Sequence, residues 1–163
     1  MQVNWKSIRK AIADDFPQVR ALSTVELAKW FDDPQHESPV VFDVRAKAEY
    51  NVSHLKGAIH APDAASIIAS LKESQDDASK SIVVYCSVGY RSAKVADELR
   101  SLGYANIFNL NGSIFQWANE GRPVYRTTNA AGSSCRETDE ELLVDEVHPF
   151  NRRWGKLLVR ANV

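Results

Sequence analysis

Residues 81–103 read SIVVYCSVGYRSAKVADELRSLG, and the fold turns on that stretch. Ser81 to Tyr85 is a short apolar run rich in β-branched residues, the pattern of a buried strand. From about Ser92 to Leu102 the apolar positions take helical spacing, and Gly103 stands where such a helix ends. Between the two lies the loop Cys86-Ser87-Val88-Gly89-Tyr90-Arg91. Outward from this unit the alternation repeats. On the N-terminal side, Trp5, Ile8, Ala11 and Ile12 mark a helix over 4–16 that Pro17 stops. Val19 to Leu22 reads as extended. Ser23 and Glu26 have the spacing of a capping box, so a helix is expected to about Phe31, closed by Asp33-Pro34. Val40 to Val44 is a second buried strand, and Ala58 to His60 a brief one ended by Pro62. Residues 63–73 carry helical periodicity, and 74–80 form a polar linker. On the C-terminal side a strand over 106–110 leads to a helix over 113–119, stopped by Gly121. Strands alternating with helices predict an α/β fold with a mostly parallel sheet.

The chain has 163 residues, the length of one domain. Its 20 basic and 21 acidic side chains give a net charge of −1, which argues against a nucleic-acid partner bound through a broad basic field. No apolar run approaches the roughly 18–20 residues of a membrane span. Asp14 and Asp15 interrupt the N-terminal stretch where a secretion signal needs an apolar core. Two cysteines, Cys86 and Cys135, are too few for a disulfide scaffold or a structural zinc site. The expected setting is the cytoplasm with both thiols reduced. After Pro123 the composition changes: 126–146 is polar and acidic, with loop composition over 126–134, and 147–163 is apolar and basic. The expected organisation is an N-terminal helix over 1–17, a domain over 18–125, and a tail over 126–163 that packs back through Trp154.

The Cys86 loop concentrates the chemistry. In a parallel α/β sheet, ligands bind beyond the carboxyl ends of the strands. The loop amides of Ser87 to Ser92 are able to curl around one point, which the following helix N-terminus also faces. A thiolate there is stabilised. Gly89 lets the chain bend, and Arg91 adds a donor fork aimed at an oxyanion. Thiolate, amide cradle and arginine together make an anion-accepting nucleophile; the bland alternative is an inert core thiol.

Four stretches, taken together, resemble the rhodanese-like (sulfurtransferase) family over about residues 18–124. They are the Cys86 loop, Val41-Phe42-Asp43-Val44-Arg45, Glu49-Tyr50 through Ser53-His54-Leu55 and Gly57-Ala58 to Pro62, and Leu110-Asn111-Gly112-Ser113 with Trp117. The resemblance implies a five-stranded, mostly parallel sheet flanked by helices on both faces. It also implies that Cys86 carries a sulfane sulfur as a persulfide, from a small-molecule or protein donor to a thiol or cyanide acceptor. No metal or organic cofactor is expected, because the cysteine sulfur is the carrier. Four residues separate Cys86 from Arg91. Related phosphatases of the cell-cycle type carry one more, so the shorter loop is similar to the sulfur-transferring branch. Arg91 is the loop's one charged residue, whereas family members often carry a second. Two departures stand out: Ser53 and Ser113 occupy positions where the family has Gly. Neither is expected to touch the nucleophile, and Ser113 is read as an N-cap. The alternatives are a non-catalytic binding or regulatory module, which the retained cysteine disfavours, and a phosphatase or arsenate reductase on the same fold.

Asp43 and Arg45, at a strand end, are expected to support the loop through charge-assisted hydrogen bonds. His54 and His60 read as satisfied, partly buried histidines, and His36 and His148 as residues outside the chemistry. Cys135 lies in a polar stretch and reads as an ordinary exposed thiol, with a resolving thiol as the alternative. The basic, aromatic segment 151–156 reads as an anchor through Trp154 rather than a partner site. The helix carrying Trp5 either packs on the domain or faces a protein partner.

Overall fold

The computed structural model describes residues 3–76, 78–128 and 140–159. Five parallel strands form the sheet: β1 (Arg20–Leu22), β2 (Val40–Asp43), β3 (Ile59–His60), β4 (Ile82–Tyr85) and β5 (Ile107–Leu110), in the order β1-β5-β4-β2-β3. β4 lies at the centre, and all of its side chains are buried. Its residues alternate between two apolar layers. Val83 and Tyr85 face one layer with Val41 of β2; Ile82 and Val84 face the other with Phe42. Cys86 continues the second set.

Helices close both layers. On the first side pack α1 (Trp5–Asp15), α2 (Thr24–Asp32) and α6 (Ser113–Asn119), through Ile8, Leu27, Ile114 and Phe115. On the second lie α4 (Ala64–Glu73) and α5 (Tyr90–Ser101), through Ile67, Leu71, Ala96 and Leu99. The capping box of α2 is present: Ser23 Oγ accepts from the Glu26 amide, and Glu26 accepts from the Ser23 amide. A short helix α3 (Lys47–Val52) has no counterpart in the periodicity.

Beyond the sheet, residues 126–128 depart from the loop expected over 126–134; the rest of that stretch lies outside the described residues. Val124–Thr128 (β6) and Glu140–Val144 (β7) pair antiparallel. The polar composition hid this ribbon, because its pairing is held from outside. Tyr125 exchanges both backbone hydrogen bonds with His54 at 2.8 Å, and Glu141 accepts from the Gly57 amide. Further along, Val147 is fully buried, Leu157 is buried, and Trp154 packs against the first layer. Asn119 at the end of α6 donates to the Leu157 carbonyl at 2.6 Å and accepts from the Val159 amide at 2.8 Å. The short helix α7 (Arg152–Gly155) is capped by Asn151. Cys135 lies outside the described residues. Among the described residues, no helix is long and apolar enough to cross a membrane.

Candidate active site

β4 ends at Tyr85 and α5 begins at Tyr90, two residues earlier than its periodicity suggests. The loop is therefore only Cys86 to Gly89, and the amides of Tyr90, Arg91 and Ser92 belong to the helix's first turn. Such amides lack intrahelical acceptors and carry the positive end of the helix dipole. Gly89 turns the chain with φ +109, a left-handed value that disfavours a side chain. Its amide points at the cysteine: Cys86 Sγ accepts from the Gly89 N–H at 3.1 Å and lies 3.5 Å from the Ser92 Oγ. The Gly89 donor thus reaches a sulfur on a residue that is 1% exposed.

A second set of bonds fixes this cradle. Asn109 on β5 accepts from Ser92 Oγ at 2.6 Å and donates to the Gly89 carbonyl at 2.9 Å. The Cys86 amide donates to Ser113 Oγ at 3.1 Å. Ser113 therefore bonds the cysteine's backbone rather than its sulfur, and it is not the N-cap that was expected. Gly112 holds that position, and Ser113 has φ +49 inside the first turn. The hydroxyl reaches back to the Cys86 amide because the two strand ends, β4 and β5, lie side by side.

Arg91 does not stand alone. Glu49, on α3, accepts from its Nη2 at 3.0 Å and its Nη1 at 3.2 Å, a bidentate pair. Ser87 Oγ joins them, accepting from Arg91 Nη2 at 2.9 Å and donating to Glu49 at 3.2 Å. Burial pushes the Glu49 carboxyl up, but the Arg91 hydrogen bond and charge outweigh it and hold it below the usual carboxylate range. Burial likewise opposes the Arg91 charge, and Glu49 and a Cys86 thiolate outweigh it, raising the guanidinium. No role was expected for Glu49. Locally it accepts from the Ala46 amide at 2.9 Å at the start of its own helix, so nothing in the neighbouring sequence marks its pairing with Arg91.

Asp43 and Arg45 form a different pair, both side chains fully buried. Arg45 grips Asp43 through its Nε and Nη2 at 2.6–3.1 Å, and Nη2 also donates to the Ser53 carbonyl. Asp43 accepts from the Tyr85 hydroxyl at 2.8 Å, and that hydroxyl accepts from the Leu55 amide. Their bonds reach the residue before Cys86 rather than the loop itself, so any support is exerted through Tyr85. Burial first, then the Asp43 charge, keeps the Tyr85 hydroxyl protonated as a donor. His60 bonds the Arg45 carbonyl, and His54 is enclosed between the Tyr50 carbonyl and Thr127, with Glu141 at 3.3 Å.

Above the cysteine opens a cavity of about 430 Å³. Cys86, Val88 and Arg91 line it from the domain, Ile8 and Ala11 from α1, and Phe150 and Trp154 from the tail. α1 is held on the loop: Tyr90 donates to Asp15 at 2.7 Å, and its ring packs edge-on against Phe16. Phe150 lies over the Arg91 guanidinium at 4.6 Å.

A parallel sheet in this order, with a cysteine loop between the central strand and a helix, defines the rhodanese class of α/β domain. The comparisons agree. The rhodanese-like domain model matches residues 23–120, and the chain belongs to that family. The probable adenylyltransferase/sulfurtransferase MoeZ of Mycobacterium tuberculosis is 30% identical over 128 residues, 74% of this chain and 31% of that protein. A tRNA uridine(34) hydroxylase of Erwinia tasmaniensis is 31% identical over 106 residues, 62% of this chain and 29% of that protein. The chain thus spans about a third of the length of these relatives. A thiosulfate sulfurtransferase from Pseudomonas aeruginosa shares the fold at TM-score 0.61 and 19% identity, over 75% of this chain and 23% of that one.

Proposed function

We propose that the protein is a sulfurtransferase that moves a sulfane sulfur from a donor to a thiol or cyanide acceptor through a persulfide on Cys86. The observation that carries this reading is the Gly89 amide bonded to Cys86 Sγ at 3.1 Å, at the N-terminus of a 12-residue helix. That arrangement stabilises negative charge on sulfur. With thiosulfate, the Cys86 thiolate attacks the outer sulfur. The new S–S bond forms as the old one breaks, and sulfite leaves with its electron pair. The persulfide's outer sulfur keeps a negative charge beside the first-turn amides and the Ser92 hydroxyl. An acceptor nucleophile then attacks that outer sulfur and restores the thiolate. Arg91, held by Glu49 and Ser87, orients the anionic donor, while Asp43 and Arg45 hold the strand end behind the cysteine. Similarity to a protein named adenylyltransferase/sulfurtransferase supports the same reading. The partners are then a small or protein donor and acceptor, with no nucleic acid or membrane in the reaction. The test is thiocyanate formation from thiosulfate and cyanide. The wild type is expected to turn over and Cys86→Ser to form none above background; equal rates in both would end the proposal.

A further inference from the structure

We infer that the donor is a small organic molecule, an anionic sulfane sulfur on an apolar alkyl or aryl body, and that the chain's two ends bind that body. This inference rests on the persulfide reading above. Its starting point is where the cavity walls come from. The floor, Cys86 to Arg91, lies within the family-matched residues 23–120. The walls lie outside them: Ile8 and Ala11 before, Phe150 and Trp154 after. A volume of about 430 Å³ falls in the range of pockets that hold organic ligands. Thiosulfate has no apolar surface to match such walls, and enclosing a doubly charged ion among them costs solvation. The loop's own arginine is already matched by Glu49 at 3.0 Å, so the site offers amides and little net charge. A slender molecule fits the access as well, since Cys86 is 1% exposed beneath α1 and the tail.

Phe150 adds an independent sign that the wall is built. It adopts φ +63, a left-handed conformation disfavoured for an aromatic residue, with its ring placed over Arg91. Backbone strain of this kind persists only where surrounding structure imposes it. Here Asn151 caps α7 immediately after it, and the Phe150 amide donates to His148 Nδ1 at 3.0 Å.

A thiosulfonate anion shows the chemistry. The Cys86 thiolate attacks the outer sulfur, forming the new S–S bond. The bond from that sulfur to the sulfonyl sulfur breaks, and the sulfinate leaves with the electron pair. Two negative charges enter and two remain, on the persulfide and the sulfinate, with no external oxidant.

The experiment compares benzenethiosulfonate with methanethiosulfonate, which share the reacting atoms and differ in the apolar body. Each rate of Cys86 loading is normalised to that with free cysteine. The wild type is expected to favour the phenyl donor in kcat/KM by at least about tenfold, the discrimination an apolar pocket gives. Phe150→Ala and the cavity-filling Ala11→Phe are expected to shrink that ratio toward one. In parallel, benzenesulfinate binding to Cys86→Ser is followed by calorimetry, with saturable binding expected that Phe150→Ala weakens. Loading by both donors at equal normalised rates, or no sulfinate binding, overturns the inference and leaves the persulfide reading standing. Sulfinate binding without loading from any donor overturns the persulfide reading instead, and with it the donor assignment.

Discussion

Two arginine–carboxylate pairs sit near the cysteine strand, and they differ in almost every physical respect. Asp43 and Arg45 lie two residues apart and are fully buried, and their side chains bond each other, Tyr85 and backbone groups. Glu49 and Arg91 lie 42 residues apart, and Arg91 lines the cavity; the carboxylate is 3% exposed and the guanidinium 37%. A buried pair gains little net stability over apolar packing, but breaking it strands a charge in a medium that cannot solvate it. In the second pair the guanidinium keeps water as a fallback, and the buried Glu49 carboxylate keeps the Ser87 hydroxyl and the Ala46 amide, so its loss costs the fold less. The first pair therefore secures the scaffold, and the second holds a charged group where a ligand arrives.

The comparison is broken or sharpened in order of expected effect. Asp43→Asn leaves Arg45 charged and buried without its counter-ion, and is expected to cost about 3–5 kcal/mol of stability. Chemical denaturation measures this, and a loss under about 1 kcal/mol would remove the contrast. Arg91→Met is expected to slow sulfur transfer by roughly 10²–10³-fold, the effect of removing one donor from an oxyanion-type site. Its unfolding midpoint should fall less than that of Asp43→Asn, because the Glu49 carboxyl keeps the Ser87 hydroxyl and the Ala46 amide; if it falls as far, Arg91 is a scaffold residue after all. Glu49→Gln gives the smallest effect and the clearest pH signature. The Glu49 carboxyl is held low in the folded protein, so its stabilising contribution is present above its unfolded value, about 4.3. That contribution is lost as pH falls through the lower folded value. Wild-type and Glu49→Gln stabilities should differ by a constant amount above about pH 5 and converge in acid. A difference that does not change with pH would mean the carboxylate's charge is not what holds Arg91.

The same contrast explains what the sequence disclosed. The strand before Cys86, the capping box at Ser23 and Glu26, and the paired Asp43 and Arg45 are all local patterns, each set by neighbours within a few residues. Glu49 against Arg91, Ser113 against the Cys86 amide, and the pairing of β6 with β7 are contacts between distant segments, and composition carries no register for them. The β6–β7 ribbon was the least visible, since its strands are half-exposed and polar and lack the alternation that marks a strand packed on a core. The cavity walls were hidden for the same reason. Ile8 and Trp154 are ordinary apolar residues until the fold brings both chain ends over one sulfur.

The central claim is that Cys86 carries sulfur, and intact mass tests it most directly. Protein is incubated with thiosulfate, then with a protein persulfide and with benzenethiosulfonate, and weighed before and after adding cyanide. One sulfur atom, about 32 Da, is expected on the wild type, removable by cyanide and absent from Cys86→Ser, as a nucleophilic carrier requires. A wild type that gains no mass from any of the three donors, or a Cys86→Ser protein that gains it equally, would contradict the account.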